Sequence, residues 1–417
     1  MSFQDFNLHP SVMSGVRAMG YTTPTPIQEK AIPPVMEGRD VLGQAQTGTG
    51  KTAAFVLPIL HRLMSGPQGR VRALIISPTR ELAEQTRQAV ADLGRHTRLQ
   101  GVAVYGGVSA DQQIRKIRNG SEIVIACPGR LLDHMYQGHI DLSEIDVLVI
   151  DEADQMFDMG FLPDIKSILK CILKPHQTLL FSATMPDDIR KLVREVLHDP
   201  ITVQIGHAAP VSSVSHSLYP VSQEKKPALL KELLQKTPTQ SVLVFTRTKH
   251  RASNIAQQLA RSGFNAACLQ GDLSQQRRQA TIDAFRRGTL KILVATDIAA
   301  RGIDISKISH VINFDMPDTV DAYTHRIGRT GRVDRTGEAY TFVTREDGAL
   351  VRSIERVLKA QIERKSVPGF ECNEPMAPAP ERSPFHRHPV SAERPRGFRR
   401  PGAFRRPGRP AMAPAGS

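Results

Sequence analysis

Three groups of residues able to do chemistry stand in order along the chain. Ala45-Gln46-Thr47-Gly48-Thr49-Gly50-Lys51-Thr52 has the make-up of a phosphate cradle. Gly48 and Gly50 permit a tight turn whose backbone N–H groups, at the start of a helix, can face phosphate oxygens. Lys51 would neutralise charge on the β- and γ-phosphates, and the Thr52 hydroxyl would hold Mg²⁺. The general form of the motif begins on Gly; Ala45 stands there instead. Asp151-Glu152-Ala153-Asp154 follows the apolar run Val147-Leu148-Val149-Ile150. A carboxylate at the C-terminal end of a buried parallel strand reaches the crevice where open α/β sheets bind ligands. Asp151 would hold Mg²⁺ there and Glu152 would polarise the attacking water. His325-Arg326-Ile327-Gly328-Arg329-Thr330-Gly331-Arg332 places three arginines and a histidine within eight residues. Delivered from a second domain, such arginines stabilise charge on a γ-phosphate in the transition state. A basic loop that merely faces a polyanion has the same composition, and spacing does not choose between these readings.

The base is read as adenine. No Asn-Lys-x-Asp or Thr-Lys-x-Asp segment is present to recognise guanine. Gln28, in Pro24-Thr25-Pro26-Ile27-Gln28, offers an amide that can donate to and accept from the adenine edge together.

These groups need elements to position them. Asp40–Gln44 can form the strand entering the cradle and Lys51–Leu57 can open a helix. The runs 71–76, 123–126, 147–150 and 178–181 read as buried parallel strands, with helical spacing between them, as in 81–93. This alternation predicts a doubly wound α/β domain over 1–206. The polar stretch 207–217 breaks the rhythm and reads as a linker. Strand-like runs at 242–245, 292–295 and 311–314, separated by helical segments at 250–262 and 275–287, predict a second α/β domain over 218–366. From 367 to 417 aliphatic residues give way to Pro, Arg, Gly and Ala. Such a segment buries too little apolar surface to offset its ordering entropy, and a disordered tail is expected. Within it Gly397-Phe398-Arg399-Arg400-Pro401-Gly402 is followed by Ala403-Phe404-Arg405-Arg406-Pro407-Gly408. Each unit pairs an aromatic with two guanidiniums, suited to stacking on bases and neutralising phosphates.

The bulk composition agrees with a polyanionic partner. The 417 residues exceed one core and suit two domains, and the net charge is +14. Four scattered cysteines, with no Cys-x-x-Cys pair, argue against structural zinc and a disulfide framework. The first residues lack a basic segment followed by an apolar stretch, and no run approaches the length of a membrane span. A cytosolic protein without a membrane partner is expected.

Taken in order, these motifs resemble the DEAD-box ATP-dependent RNA helicases of helicase superfamily 2, over roughly 3–344. The Arg-rich tail and short N-terminal segment look most like the bacterial RhlE-type branch. The resemblance implies two tandem RecA-like domains, ATP and Mg²⁺ as cofactors, and RNA as partner. It implies that Phe3, Gly20 and Gln28 belong to an adenine-recognising Q motif spanning 3–31, and that Ala45 is the family's usual residue. Gln46, Thr47, Gly48, Thr49, Gly50, Lys51 and Thr52 then bind ATP, and Asp304 touches its ribose. Ser182 and Thr184, with Asp154 and His325, couple hydrolysis to unwinding. Pro78, Thr79, Arg80, Gly107, Gly129 and Arg130 contact RNA from the first domain. Arg247, Gly271, Asp272, Thr296, Arg301 and Gly302 do so from the second, with Arg399, Arg400, Arg405 and Arg406 in the tail. Arg329 and Arg332 become arginine fingers. Two positions depart from the family pattern: Cys127 replaces the Thr before Pro128, and Gln270 replaces the His before Gly271.

The mechanism so implied is gated. ATP and single-stranded RNA together close two loosely tethered domains, and closure completes the site. Phosphate and sugar contacts predict little sequence preference, with 2′-hydroxyl contacts excluding DNA. Short duplexes are parted locally rather than by long tracking. A monomer is expected, with protein partners docking on the tail or on domain surfaces. A DNA helicase of the same superfamily, an ATP-gated RNA clamp and a tail-driven RNA chaperone are the competing readings.

Overall fold

Short runs of β-branched and aliphatic residues, buried on both faces in the central strands, build two parallel sheets of seven strands each in the computed structural model. It describes residues 1–45, 48–205, 214–237, 240–300, 308–330 and 337–370. The first sheet contains β1 (Val41–Gln44), β2 (Ala73–Ile76), β3 (Gly101–Val104), β4 (Ile123–Ala126), β5 (Val147–Ile150), β6 (Gln177–Ser182) and β7 (Ile201–Gln204). Their spatial order is β3-β4-β2-β5-β6-β1-β7. The second contains β8 (Val214–Pro220), β9 (Val242–Phe245), β10 (Ala266–Leu269), β11 (Ile292–Ala295), β12 (His310–Asn313), β13 (Gly337–Val343) and β14 (Glu363–Arg364), ordered β10-β11-β9-β12-β13-β8-β14.

Alternation along each strand divides its side chains between two cores. In the first lobe Ile75, Ile125, Val149 and Phe181 face one core, while Leu74, Val124, Leu148 and Leu180 face the other. Because β5 and β6 lie between β1 and β2, the chain leaves β1, crosses over, and opens a crevice at the carboxyl ends of β1, β5 and β6. The two RecA-like lobes make one compact unit. Among the described residues no helix is long and apolar enough to cross a membrane.

Two expected boundaries move. From Val214 the segment read as a linker is already strand, paired along β13 from Gly337↔Val214. Its Ser and His residues hid this, although Val214 and Ser217–Tyr219 are buried. Order also runs past 366: Val367 is buried in the second-lobe core and Phe370 packs against it.

Candidate nucleotide and interlobe site

The strand β1 runs into the phosphate loop, and the loop's last residue caps the helix Lys51–Leu63. Gly48 and Gly50 hold φ of +87° and +97°, a region that a side chain disfavours. A Cβ on Gly50 would lie 2.6 Å from Gln28 Nε2, so the turn also needs glycine for space. The loop is tied to its neighbour where Ala45 N donates to Ser182 O at 3.2 Å. Gln46 and Thr47 lie outside the described residues.

Gln28 is buried in the helix Pro26–Met36. Its Nε2 donates to Gly50 O at 3.1 Å, and its Oε1 accepts from Thr25 N at 2.9 Å. One N–H and one oxygen lone pair of the amide remain for a base. Phe3 is seated in the first-lobe core, edge-on to Phe6 and stacked on Tyr21.

The strand β5 ends on the acidic motif. Asp151 is 4% exposed, and its Oδ1 has no hydrogen-bond partner among the described residues. Burial, reinforced by Glu152 and Asp154 and opposed by Lys51, pushes the Asp151 carboxyl up to about 7. Glu152 turns the chain from strand to helix with φ of +54°. Lys51 Nζ lies 3.6 Å from its Oε1, and Gln155 Nε2 donates to its Oε2. Thr52 follows Lys51 on the same helical turn.

Asp154 is a hub. Its Oδ2 accepts from Ala183 N at 3.0 Å, Thr184 N at 2.8 Å and Thr184 Oγ1 at 3.1 Å. Its backbone N–H donates to Ser182 Oγ, which donates to Thr184 O. Asp154 and Thr184 open on a cleft of about 510 Å³ between the lobes, where His325 and Arg329 face them. The structure therefore brings together Asp154, the Ser182–Thr184 segment it holds and the arginine-rich loop, while Asp151 and Glu152 do not line this cleft. Arg332 and Asp304 lie outside the described residues.

Sequence reasoning missed what aims this loop. Arg326 is 3% exposed and grips Asp297 with two parallel bonds, Nε to Oδ1 at 2.6 Å and Nη2 to Oδ2 at 2.7 Å. Its Nη1 donates to Asp315 O at 2.7 Å, and its guanidinium lies over the Phe245 ring. An arginine among other arginines gives no sequence sign of being internal.

The residues read as RNA contacts are distributed over both lobes. Thr79 caps the helix Arg80–Leu93 through Leu82 N. Arg80 packs against Gly107 so closely that a Cβ there would meet its Nη1 at 2.2 Å, and it donates to Gln275 Oε1 across the lobes at 3.3 Å. Pro78 is buried beside Thr79, and Arg130 donates to Val108 O. Gly129 and Gly271 have open space where a Cβ would stand. Asp272 pairs with Lys249, Arg247 lies 3.6 Å from Asp318, and Thr296 borders the cleft. Arg301, Gly302, Arg399, Arg400, Arg405 and Arg406 lie outside the described residues. At the departures, Cys127 leaves its helix without a side-chain cap, while Gln270 Oε1 accepts from Asp272 N at 2.8 Å and braces the turn. Beside these contacts Arg278 donates twice to Glu81 Oε1, at 2.9 and 2.7 Å, in a buried ion pair between the lobes.

The DEAD/DEAH box helicase family model matches residues 25–192, and the helicase conserved C-terminal domain model matches 225–334. The DEAD-box ATP-dependent RNA helicase CshA of Bacillus subtilis is 41% identical over 373 residues, covering 89% of this chain and 75% of that protein. The RhpA helicase of Helicobacter pylori strain B128 is 42% identical over 374 residues, covering 89% and 76%. Among solved structures, S. cerevisiae Dbp5 bound to RNA and ADP BeF3 superimposes with a TM-score of 0.80 at 31% identity, covering 88% of this chain and 95% of that one. With the motifs in order on two matching sheets and this identity along most of its length, the chain belongs to the DEAD-box ATP-dependent RNA helicases.

Proposed function

We propose that RNA-dependent closure of the two lobes completes the ATP site, and that closure parts short RNA duplexes locally while hydrolysis resets the protein. The observation that carries this is the cleft in which Asp154 and Thr184 of one lobe meet His325 and Arg329 of the other. The buried Glu81–Arg278 pair marks the arrangement described as the closed one.

In this reading Gln28 positions adenine while holding Gly50, so base and phosphates are sensed through one hydrogen bond. Phe3 supports the Q segment from beneath. Gly48, Thr49 and Gly50, with Gln46 and Thr47, wrap the phosphates, and Lys51 moves from Glu152 to the β/γ oxygens. Glu152 accepts the proton of the attacking water. The unpartnered, buried Asp151 oxygen fits a hard divalent cation, and Asp151 with the Thr52 hydroxyl would hold Mg²⁺. When bound, that ion neutralises charge on the phosphate oxygens. Arg329, with Arg332, faces the leaving charge, and Asp304 takes the ribose. Asp154 reports the site's state to Ser182 and Thr184, whose backbone it grips.

RNA lies on Pro78, Thr79, Arg80, Gly107, Gly129 and Arg130 of the first lobe and Arg247, Gly271, Asp272 and Thr296 of the second, joined by Arg301 and Gly302. The paired Phe-Arg-Arg units of the tail add sequence-tolerant RNA affinity or receive protein partners. The protein acts as a cytoplasmic monomer. The finer likeness to the RhlE-type branch finds no support in the relatives named above, which are CshA and RhpA proteins. It stays as a reading of the tail.

The test is steady-state ATP hydrolysis with no nucleic acid, with single-stranded RNA and with single-stranded DNA of equal length. Stimulation by RNA alone is expected. Equal stimulation by DNA would remove the 2′-hydroxyl argument, and full activity with neither would remove gating by closure.

A further inference from the structure

The two sheets repeat one another strand for strand. Replacing β1 to β7 by β8 to β14 turns the first spatial order into the second. In this correspondence β8 stands where β1 does and β12 where β5 does. The loop after β1 delivers Lys51 as the first residue of its helix; the loop after β8 delivers Lys226 as the first residue of the helix Lys226–Lys236. Glu152 stands two residues beyond β5, and Asp315 two residues beyond β12. Phe314 occupies the counterpart of Asp151. The second lobe thus has a lysine and an acid at the positions of the nucleotide site, an aromatic in place of the metal-holding acid, and no glycine cradle.

A pocket of about 670 Å³ lies at this place. Five cations line it, Lys225, Lys226, Arg247, Arg251 and Arg345, against three carboxylates, Asp315, Glu346 and Asp347. Two of the three acids are committed. Asp315 accepts from Arg251 Nη1 at 2.6 Å and from Arg247 N at 2.9 Å, and Asp347 caps Thr344. Lys226 is different from the other cations. It is 2% exposed and has no hydrogen bond or ion pair among the described residues; the Phe314 ring lies 5.9 Å from its Nζ, and burial lowers its pKa against the opposing pull of Asp315 and Asp347. Both carboxylates are bonded to other groups, so an ammonium so buried still lacks a counter-charge in direct contact. The helix it starts carries no side-chain cap, so its positive end is also open to an anion.

We infer that this pocket binds a phosphate group without hydrolysing it, seated on Lys226 with Arg251 at the rim. The phosphate is borne either by a small diphosphate-type ligand or by an RNA strand crossing the second lobe. No acid stands at position 314 to hold a metal on it, which separates this site chemically from its first-lobe counterpart.

The experiment uses the full chain with the first-lobe site saturated by ADP and divalent ions removed. Inorganic pyrophosphate is titrated by calorimetry. The expected result is saturable binding that weakens at least about tenfold in Lys226→Met and less in Arg251→Gln, with ADP affinity unchanged. Lys226→Met keeps the side chain's length and removes a buried charge, and the Arg251→Gln series stands independently of it. In parallel, single-stranded RNA affinity is measured against salt. A slope shallower by about 0.7 in Lys226→Met assigns the phosphate to RNA; an unchanged slope with lost pyrophosphate binding assigns it to a free ligand. No saturable pyrophosphate binding together with an unchanged slope, or binding equal in wild type and both variants, overturns the proposal.

Discussion

Glu152 is held at positive φ without being glycine, a conformation costing about 1–2 kcal/mol per residue. The turn sets its carboxylate beside Lys51, where β5 meets the phosphate loop. Strain kept at such a place is consistent with a residue positioned for chemistry. Glu152→Gln keeps the shape, and is expected to lower RNA-stimulated ATP hydrolysis about 10²–10⁴-fold with ATP binding retained. Turnover at the wild-type rate would end the water-activating assignment. Cys127 makes the opposite case. Burial, with Glu81 adding to it, pushes its thiol up to about 12, so thiolate is scarce at neutral pH and appears as pH rises through that value. Mass-spectrometric mapping of thiol labelling at pH 8 should find exposed Cys171 modified and the partly buried Cys127 intact; early labelling of Cys127 would contradict its raised thiol pKa. At this scale the acids, the lysine and the cradle were legible because their types and spacing are tied to phosphate chemistry. The locking of Gln28 onto Gly50 and of Arg326 onto Asp297 was not, since each joins residues whose proximity only the fold creates.

Among elements, the turn into the helix Lys51–Leu63 tolerates little change at Gly50. Gly50→Ala would face both an unfavourable φ and the Gln28 amide. A loss of about 1–2 kcal/mol in first-lobe stability is expected, together with weaker ATP binding. Thermal unfolding with and without ATP reads both, and an unchanged ATP-induced shift would show that the turn tolerates the methyl group. Strands buried on both faces announced themselves as apolar runs, β2, β4, β5, β9 and β11 among them. One buried strand, β3, was missed although Val102–Val104 are apolar; the others that escaped have physical reasons. Only Val203 of β7 is buried, and β14 is two residues long; both are edge strands. The edge strand β10 is half-buried and alanine-rich. In β13 the buried Tyr340 and Thr341 interrupt the run, and β8 hides its pairing behind Ser215, His216 and Ser217.

For the molecule as a whole, the two-lobe plan and the cleft followed from motif order, because an arginine-rich loop far from the cradle has to be brought to it by folding. The contacts that hold the lobes together did not, since Glu81 and Arg278 each look like ordinary helix-surface charges in sequence. Arg278→Ala would leave Glu81 buried and unpaired unless the lobes part. Parting rehydrates Glu81, so stability should stay near wild type while RNA-stimulated ATPase falls at least about tenfold. Turnover kept at full rate would show that the pair is incidental to closure.

The placement of β1 has a bearing on how the protein is made. It is the first strand of its sheet to be synthesised, yet its neighbours are β6 and β7, the last two. Until Gln177–Ser182 leaves the ribosome the phosphate loop's own strand has no partner on either side. A nascent chain carrying the complete cradle and even the complete acidic motif is therefore without a nucleotide site. The site arises late and all at once, when the end of the first lobe's sequence closes around its beginning.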